Sequence, residues 1–191
     1  MKTIVAWLLC LIGIPPAAEE PRIDPKAARQ IAQAMVNDVL GALAERDFRT
    51  LSTFVGERGL MVSPYVMLDK DDVWLARDDV ESCATDPQIR RWGERDGSGD
   101  PIETICRLYF EEFVWNADYR KADEVLYNEP RQRGNEINNN KHFEPDGIVV
   151  ELHIRGEGAQ APTNWKSLRL IFRKGEQGLS LIAITRDVWT I

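Results

Sequence analysis

Histidine is scarce in this chain, which narrows the chemistry at once. Its 191 residues hold two, His142 in a polar stretch and His153 at an outward position of an alternating run. A zinc site of the usual kind would draw on both, plus carboxylates, and no ligand spacing gathers them. Asp96, Ser98 and Asp100 mimic the opening of a calcium loop. However, Pro101 stands where that loop needs glycine, and Arg107 where it needs a bidentate carboxylate. Neither a metal nor a cofactor is therefore expected. Ser63 and Ser98 lack a G-x-S-x-G frame, so nucleophilic catalysis has no anchor. Gly97 and Gly99 come without the further glycines and the lysine of a phosphate loop. Acid–base work is left with scattered carboxylates, Asp96, Glu103, Glu112 and Asp187. No catalytic residue is assigned.

The cysteines speak of compartment rather than catalysis. Residues 1–18 read as a secretory signal peptide: Lys2 gives the positive start, IVAWLLCLIGI (4–14) the apolar segment and PPAA (15–18) the small-residue exit. The apolar run is too short to span a bilayer comfortably, and no second candidate follows, so no transmembrane span is expected in the mature chain. Cleavage is placed near Ala17 or Ala18. Leu9 stands before Cys10 where lipidation wants a small residue. Removing the signal leaves Cys83 and Cys106, an even pair in an exported chain, which permits a disulfide. Closing that loop is worth about 3 kcal/mol on the chain-entropy view. The competing reading makes Cys106 a small buried residue on a helix face. The net charge of −7 leaves no basic stripe for a phosphate backbone, so nucleic acid is excluded as a partner.

The scaffold is clearest at its C-terminal end. IVVELHI (148–154), WKSLRLIF (165–172) and LSLIAITRDVWTI (179–191) are strand-length, rich in branched residues and separated by short polar turns, as an antiparallel meander requires. Val150, Leu152 and Ile154 alternate with Glu151, His153 and Arg155, and Leu168, Leu170 and Phe172 with Ser167, Arg169 and Ile171. One face should therefore meet helices while the mixed-charge face, with Arg173, stays solvated. The last run is apolar at both parities until Thr185, which places it centrally in the sheet. Upstream, Asp24 and Pro25 start a helix over 25–46, with Ala28, Ile31, Ala32, Met35, Val36, Val39, Leu40 and Leu43 as its buried stripe. Asp47 caps a second, shorter helix burying Phe48, Leu51 and Val55. LMVSPYVML (60–68) is a strand with an edge or bulge at Pro64, and VWLA (73–76) its return. Residues 77–100 read as irregular, with a helical turn after Asp78. Asp100, Pro101 and Glu103 predict a helix to about Asn116. Val125 to Tyr127 start a strand, and 131–147 is turn or loop.

That order, two helices, a strand, a helix and late antiparallel strands, resembles the cone-shaped α+β fold of nuclear transport factor 2-like (cystatin-like) domains. More specifically, GERGLMVSPY (56–65), RWGERDGSGDPI (91–102), YFEEFVWNADY (109–119), YNEPRQRGNEINN (127–139) and NWKSLRLIFRK…RDVWTI (164–191) resemble a family of exported bacterial proteins of unknown function, many of them lipoproteins. The likeness covers roughly residues 45–191. It implies N-terminal helices packed on a curved antiparallel sheet, and it brings no reaction with it. Two departures stand out: the lipidation site is not convincing, and Asn164 replaces the acidic residue usual before the Trp.

The resulting expectation is one α+β domain over 19–191. A cone of this kind would line a pocket with Tyr65, Tyr109, Trp115 and Trp189, against the plainer reading of these rings as core or rim packing. The function expected is an exported, non-catalytic binding or structural module of the bacterial envelope, periplasmic or secreted. Its partner would be an apolar small molecule or an envelope protein, with the chain a monomer or a homodimer. The alternative is a small-molecule enzyme working through pocket carboxylates.

Overall fold

In the computed structural model, residues 23–129 and 131–189 are described. The expected signal peptide, Cys10 and the end of the last expected strand fall outside them. Helix α1 (Pro25–Glu45) starts as its sequence predicts: the Asp24 carboxylate accepts from the amides of Lys26 and Ala27, and Pro25 occupies the first turn. It ends at Arg46, whose φ of 56° caps the helix in the left-handed region. Ala28, Ala32, Val36, Val39, Leu40, Ala42 and Leu43 are buried, whereas Ile31, expected in the stripe, is exposed. Asp47 then caps α2 (Phe48–Thr53) by accepting from the Thr50 amide at 2.9 Å.

A six-stranded sheet receives these helices. It comprises β1 (Leu60–Ser63), β2 (Val73–Leu75), β5 (Glu124–Tyr127), β6 (Ile148–Ile154), β7 (Lys166–Gly175) and β8 (Gly178–Val188), in the order β2-β1-β8-β7-β6-β5. All neighbours are antiparallel except β1 and β8, which run parallel. β8 is interior, as its double-parity burial demands, and it closes at Val188 with Trp189 exposed beyond it. β1 stops at Ser63, so Pro64 never has to donate to the sheet. Ile148, Val150, Leu152, Leu168, Leu170, Phe172, Leu181 and Ile184 bury one face against α1, α2 and the aromatic residues that follow. The architecture is thus α+β, with N-terminal helices on one face of a curved, antiparallel-rich sheet.

The middle of the chain differs from its sequence reading. After α3 (Arg77–Ser82), the irregular stretch contains a strand, β3 (Ile89–Glu94), which pairs with β4 (Pro101–Ile105) as a separate hairpin. The helix expected from Asp100 therefore begins only at Cys106, as α4 (Cys106–Tyr109), and continues as a π-helical turn over Phe110–Val114. Asp100 serves the hairpin turn instead: its carbonyl accepts from the Arg95 amide at 2.7 Å. A two-stranded sheet leaves each strand an unpaired edge, so Pro101 costs no ladder bond here. Cys83, at the end of α3, and Cys106 form a disulfide, and both are fully buried.

The second correction concerns the polar face of the large sheet, which is not solvated. Glu151, His153, Ser167 and Arg169 are all buried, with only Arg155 exposed and Arg173 between. The cover is the segment read as loop, 131–147, which includes the short helix α5 (Asn140–Phe143). Its asparagines stand in for a strand. Asn139 accepts from the Leu68 amide (2.9 Å) and donates to the Leu68 carbonyl (2.7 Å), while Asn140 donates to the Val66 carbonyl (2.6 Å) and accepts from Thr185 (3.1 Å).

Candidate functional site

The covered polar face is a closed ionic layer. Three guanidinium groups (Arg131, Arg133, Arg169) meet three carboxylates (Glu124, Glu151, Asp187). Arg169, 1% exposed, donates to Asp187 at 2.8 Å and to Glu151 at 3.2 Å, and Arg133 donates to Glu151 at 2.7 Å. Burial holds the Asp187 carboxyl above its ordinary value, while Arg169 pulls it back. Burial and Arg133 push the His153 imidazole below its usual value.

Ser167 sits between His153 (Nδ1 to Oγ, 2.9 Å) and Glu151, to whose Oε1 its hydroxyl donates at 3.1 Å. The order is acid–serine–histidine, the wrong one for a catalytic triad, where the imidazole must stand between the other two. Glu151 already accepts from two arginines as well as from the Ser167 hydroxyl. Charge here is matched and the layer holds the sheet to its cover; it does not prepare a nucleophile.

The opposite, helix-facing side carries the unbalanced group. There the rings stack: Trp92 on Tyr109 at 4.0 Å between centroids, Tyr109 on Phe113 at 5.1 Å, and Phe48 edge-on to Phe110 at 5.2 Å. Trp92, missed by the sequence reading as part of an irregular stretch, is fully buried, and its indole donates to the Thr104 carbonyl. Arg186 projects from β8 onto this aromatic stack, its guanidinium carbon 5.0 Å above the Phe113 ring. Its side chain makes no ion pair and no hydrogen bond among the described residues, and its Nε is buried without a partner. The Tyr109 hydroxyl is likewise buried and unpartnered. Burial depresses the basicity of Arg186, and the tyrosines 119, 109 and 65, followed by Glu112, offset part of that. Burial also raises all three phenols, so they remain protonated donors at neutral pH.

Of the four expected pocket residues, two meet here. Tyr109 is in the stack. Tyr65 stands at its rim, donating to the Glu94 carbonyl (2.8 Å) and accepting from the Asp96 amide (2.6 Å), which ties β1's exit to the β3–β4 hairpin. Trp115 lies edge-on to Tyr119 at 5.8 Å, and with Leu43, Arg46, Phe48 and Phe110 it borders a cleft of about 50 Å³. Trp189 is exposed and outside the group. The expected carboxylates do not converge either. Glu112 pairs with Arg95 at 2.9 Å, Asp187 belongs to the ionic layer, Glu103 is exposed on β4, and Asp96 sits at the hairpin turn. The feature the sequence reading missed is Arg186 turned onto the aromatic side. Its parity, two residues past Ile184 at the end of the apolar run, was the available hint.

No protein-family model matches the chain, and no curated protein does. Solved structures similar to it include a protein from Xanthomonas campestris named as a calcium/calmodulin-dependent protein kinase II association domain. It shows 14% identity and a TM-score of 0.38, covering 90% of this chain and 96% of that one. Another, from Novosphingobium aromaticivorans, is named as an aromatic ring hydroxylase, with 12% identity, a TM-score of 0.35 and 86% and 91% covered. A third, from Streptomyces avermitilis, is named as a dehydratase of the NTF2-like family, with 10% identity, a TM-score of 0.32 and 87% and 99% covered. Likeness at this level speaks to neither activity nor partner.

Proposed function

We propose that the protein is a non-catalytic binding module of the bacterial envelope, exported and freed of residues 1–18. The observation that carries this reading is the aromatic stack. Trp92, Tyr109 and Phe113 are buried and in mutual contact where a catalytic cone would keep an open floor, so the stack fills the space that a reaction chamber would need. The carboxylates that would drive acid–base chemistry are spread over hairpin, helix and opposite sheet face, each in its own surroundings. The Cys83–Cys106 disulfide suits an oxidising compartment and supports the export reading.

A thermal-shift screen against envelope metabolites, lipids and glycan fragments tests the binding role. A stabilising compound recovered chemically unchanged is the expected outcome. Conversion of that compound, lost on substituting Asp187 or Glu112, would overturn the non-catalytic reading. Mass spectrometry of the exported protein tests its location: a mature chain starting after Ala17 or Ala18 is expected, and one beginning at a diacylated Cys10 would contradict it.

A further inference from the structure

The ionic layer has an open edge, and there His153 presents a lone pair. The hydrogen bonds around Ser167 fix the tautomer. Glu151 is held by Arg133 and Arg169, so as a carboxylate it only accepts. The single hydroxyl hydrogen of Ser167 goes to it at 3.1 Å. Towards the imidazole, 2.9 Å away, the Ser167 oxygen is left to accept, so Nδ1 of His153 carries the ring proton. Burial and then Arg133 push this group below its usual value, which keeps the ring neutral at neutral pH. Nε2 is therefore a bare acceptor. It has no partner among the described residues, and it is not sealed from solvent as the unpartnered Tyr109 hydroxyl and Arg186 Nε are. His153 is 7% exposed and lines, with Arg133, Arg155, Gly156, Ala161 and Trp165, an open cleft of about 290 Å³.

We infer that this cleft binds a small hydroxycarboxylate, its hydroxyl donating to Nε2 of His153 and its carboxylate meeting the guanidinium of Arg155. The inference rests on the reading of the chain as a binding module and names the chemistry of its ligand. Arg155 follows His153 by two residues on β6, on the same face and about 7 Å along the strand. It is exposed, and its guanidinium makes no ion pair among the described residues, since Asp123 takes its backbone amide instead. Arg133, by contrast, is already turned to Glu124 and Glu151. A free acceptor beside a free fork of N–H groups asks for a donor and an oxyanion on neighbouring atoms of one ligand. The loop that walls the cleft is set beforehand: Asn164 accepts from the Glu157 amide (2.9 Å) and donates to the Glu157 carbonyl (3.1 Å), and a Cβ at Gly156 would stand 2.1 Å from the Ala161 carbonyl oxygen. A metal ion would also suit an imidazole supported in this way, but the charged side chains at the cleft are two guanidinium groups, which repel it. Hydrogenphosphate joins charge and hydroxyl too, yet it would leave the carbon surface of Trp165 and Ala161 unused.

Nuclear magnetic resonance titration of the purified, nitrogen-15-labelled protein tests this with four probes at matched ionic strength: sodium lactate (each enantiomer), sodium propionate, lactamide and inorganic phosphate. Lactate should shift the amides of 153–156 saturably. Propionate, which lacks only the hydroxyl, and lactamide, which lacks only the charge, should each bind about tenfold more weakly. Arg155→Gln, at an exposed position, should weaken lactate severalfold with the rest of the spectrum unchanged. His153→Phe should bring lactate and propionate to equal affinity, a change of selectivity that a merely structural role would not produce. The ring nitrogens report independently: the chain has two histidines, so His142→Gln assigns His153, which should show a protonated Nδ1 and a bare Nε2. No saturable shift with lactate, equal binding of propionate or lactamide by the wild type, tighter binding of phosphate, or a protonated Nε2 would each overturn the assignment. Chemical conversion of lactate would contradict the non-catalytic role while leaving the site itself in place, so the two ideas fail separately.

Discussion

Replacing Arg169 with methionine gives the sharpest account of what the ionic layer contributes. The side chain is 1% exposed and donates to two carboxylates that are themselves 3% and 4% exposed, Glu151 and Asp187. Methionine fills similar volume but leaves both acids buried with less compensation, Glu151 keeping Arg133 and Asp187 keeping no ion pair among the described residues. Breaking a buried pair in this way costs about 3–5 kcal/mol. For a chain of this length each kcal/mol moves the melting temperature by about 2–4 °C, so a loss on the order of 10 °C is expected at neutral pH.

The pH dependence has a definite sign. The folded Asp187 carboxyl titrates above its ordinary value, so the folded state binds the extra proton and stability falls as pH rises through that window. Removing Arg169 takes away the partner that lowers this pKa, which widens the window upward. The gap between variant and wild type should thus be largest near neutrality and shrink on acidification towards the ordinary carboxylate range. Calorimetric melts across that range supply the assay. Equal stability at neutral pH, or a gap that grows in acid, would refute the reasoning.

Three further outcomes follow from other parts of the fold. Converting Cys83 and Cys106 to serine should cost about 3 kcal/mol, given a separation of 23 residues, and reductant should reproduce the loss in the wild type; an unchanged melt would deny the bridge a stabilising role. Asn140→Ala strips partners from the Val66 carbonyl and the Thr185 hydroxyl, both in buried surroundings, and should cost about 1–3 kcal/mol; hydrogen exchange should rise locally in 64–68, and a global change without that local signal would contradict the clamp. Gly59→Ala places a Cβ 2.6 Å from the Leu75 carbonyl oxygen at a φ of +88°, so a loss above about 1 kcal/mol is expected, and a neutral substitution would show that the entry to β1, opposite the end of β2, relaxes freely.

What the sequence discloses here depends on whether a signal is local. Asp24–Pro25 and Asp47 predict their helix starts because a cap involves only residues within one turn, and both caps are present. The alternation in 148–154 and 165–172 predicts strands for the same reason. Asp100–Pro101–Glu103 carries an equally good local signal and misleads, because hairpin pairing with 89–94 is a non-local interaction that overrides it. Period-two polarity separates the faces of β6 and β7 correctly, yet it does not distinguish water from a polar cover. The cover, NEINNN in 135–140, reads as loop because its order comes from asparagine side chains rather than from backbone pairing. For the site, Tyr65 and Tyr109 are recoverable as aromatics near an inner face. Arg186 is not, since a charged residue among Thr185, Asp187 and Val188 looks like the solvated end of a strand. Only the packing shows that its parity turns it onto Phe113 while Asp187 turns to the ionic layer.

The central claim, an inner face filled by stacked rings rather than opened as a reaction chamber, is most directly tested by a crystal structure of the purified protein. The account predicts Trp92, Tyr109 and Phe113 in mutual contact, with Glu112 paired to Arg95 and Asp187 to Arg169. An open cavity between helices and sheet, with two or more carboxylates converging on it, would contradict it.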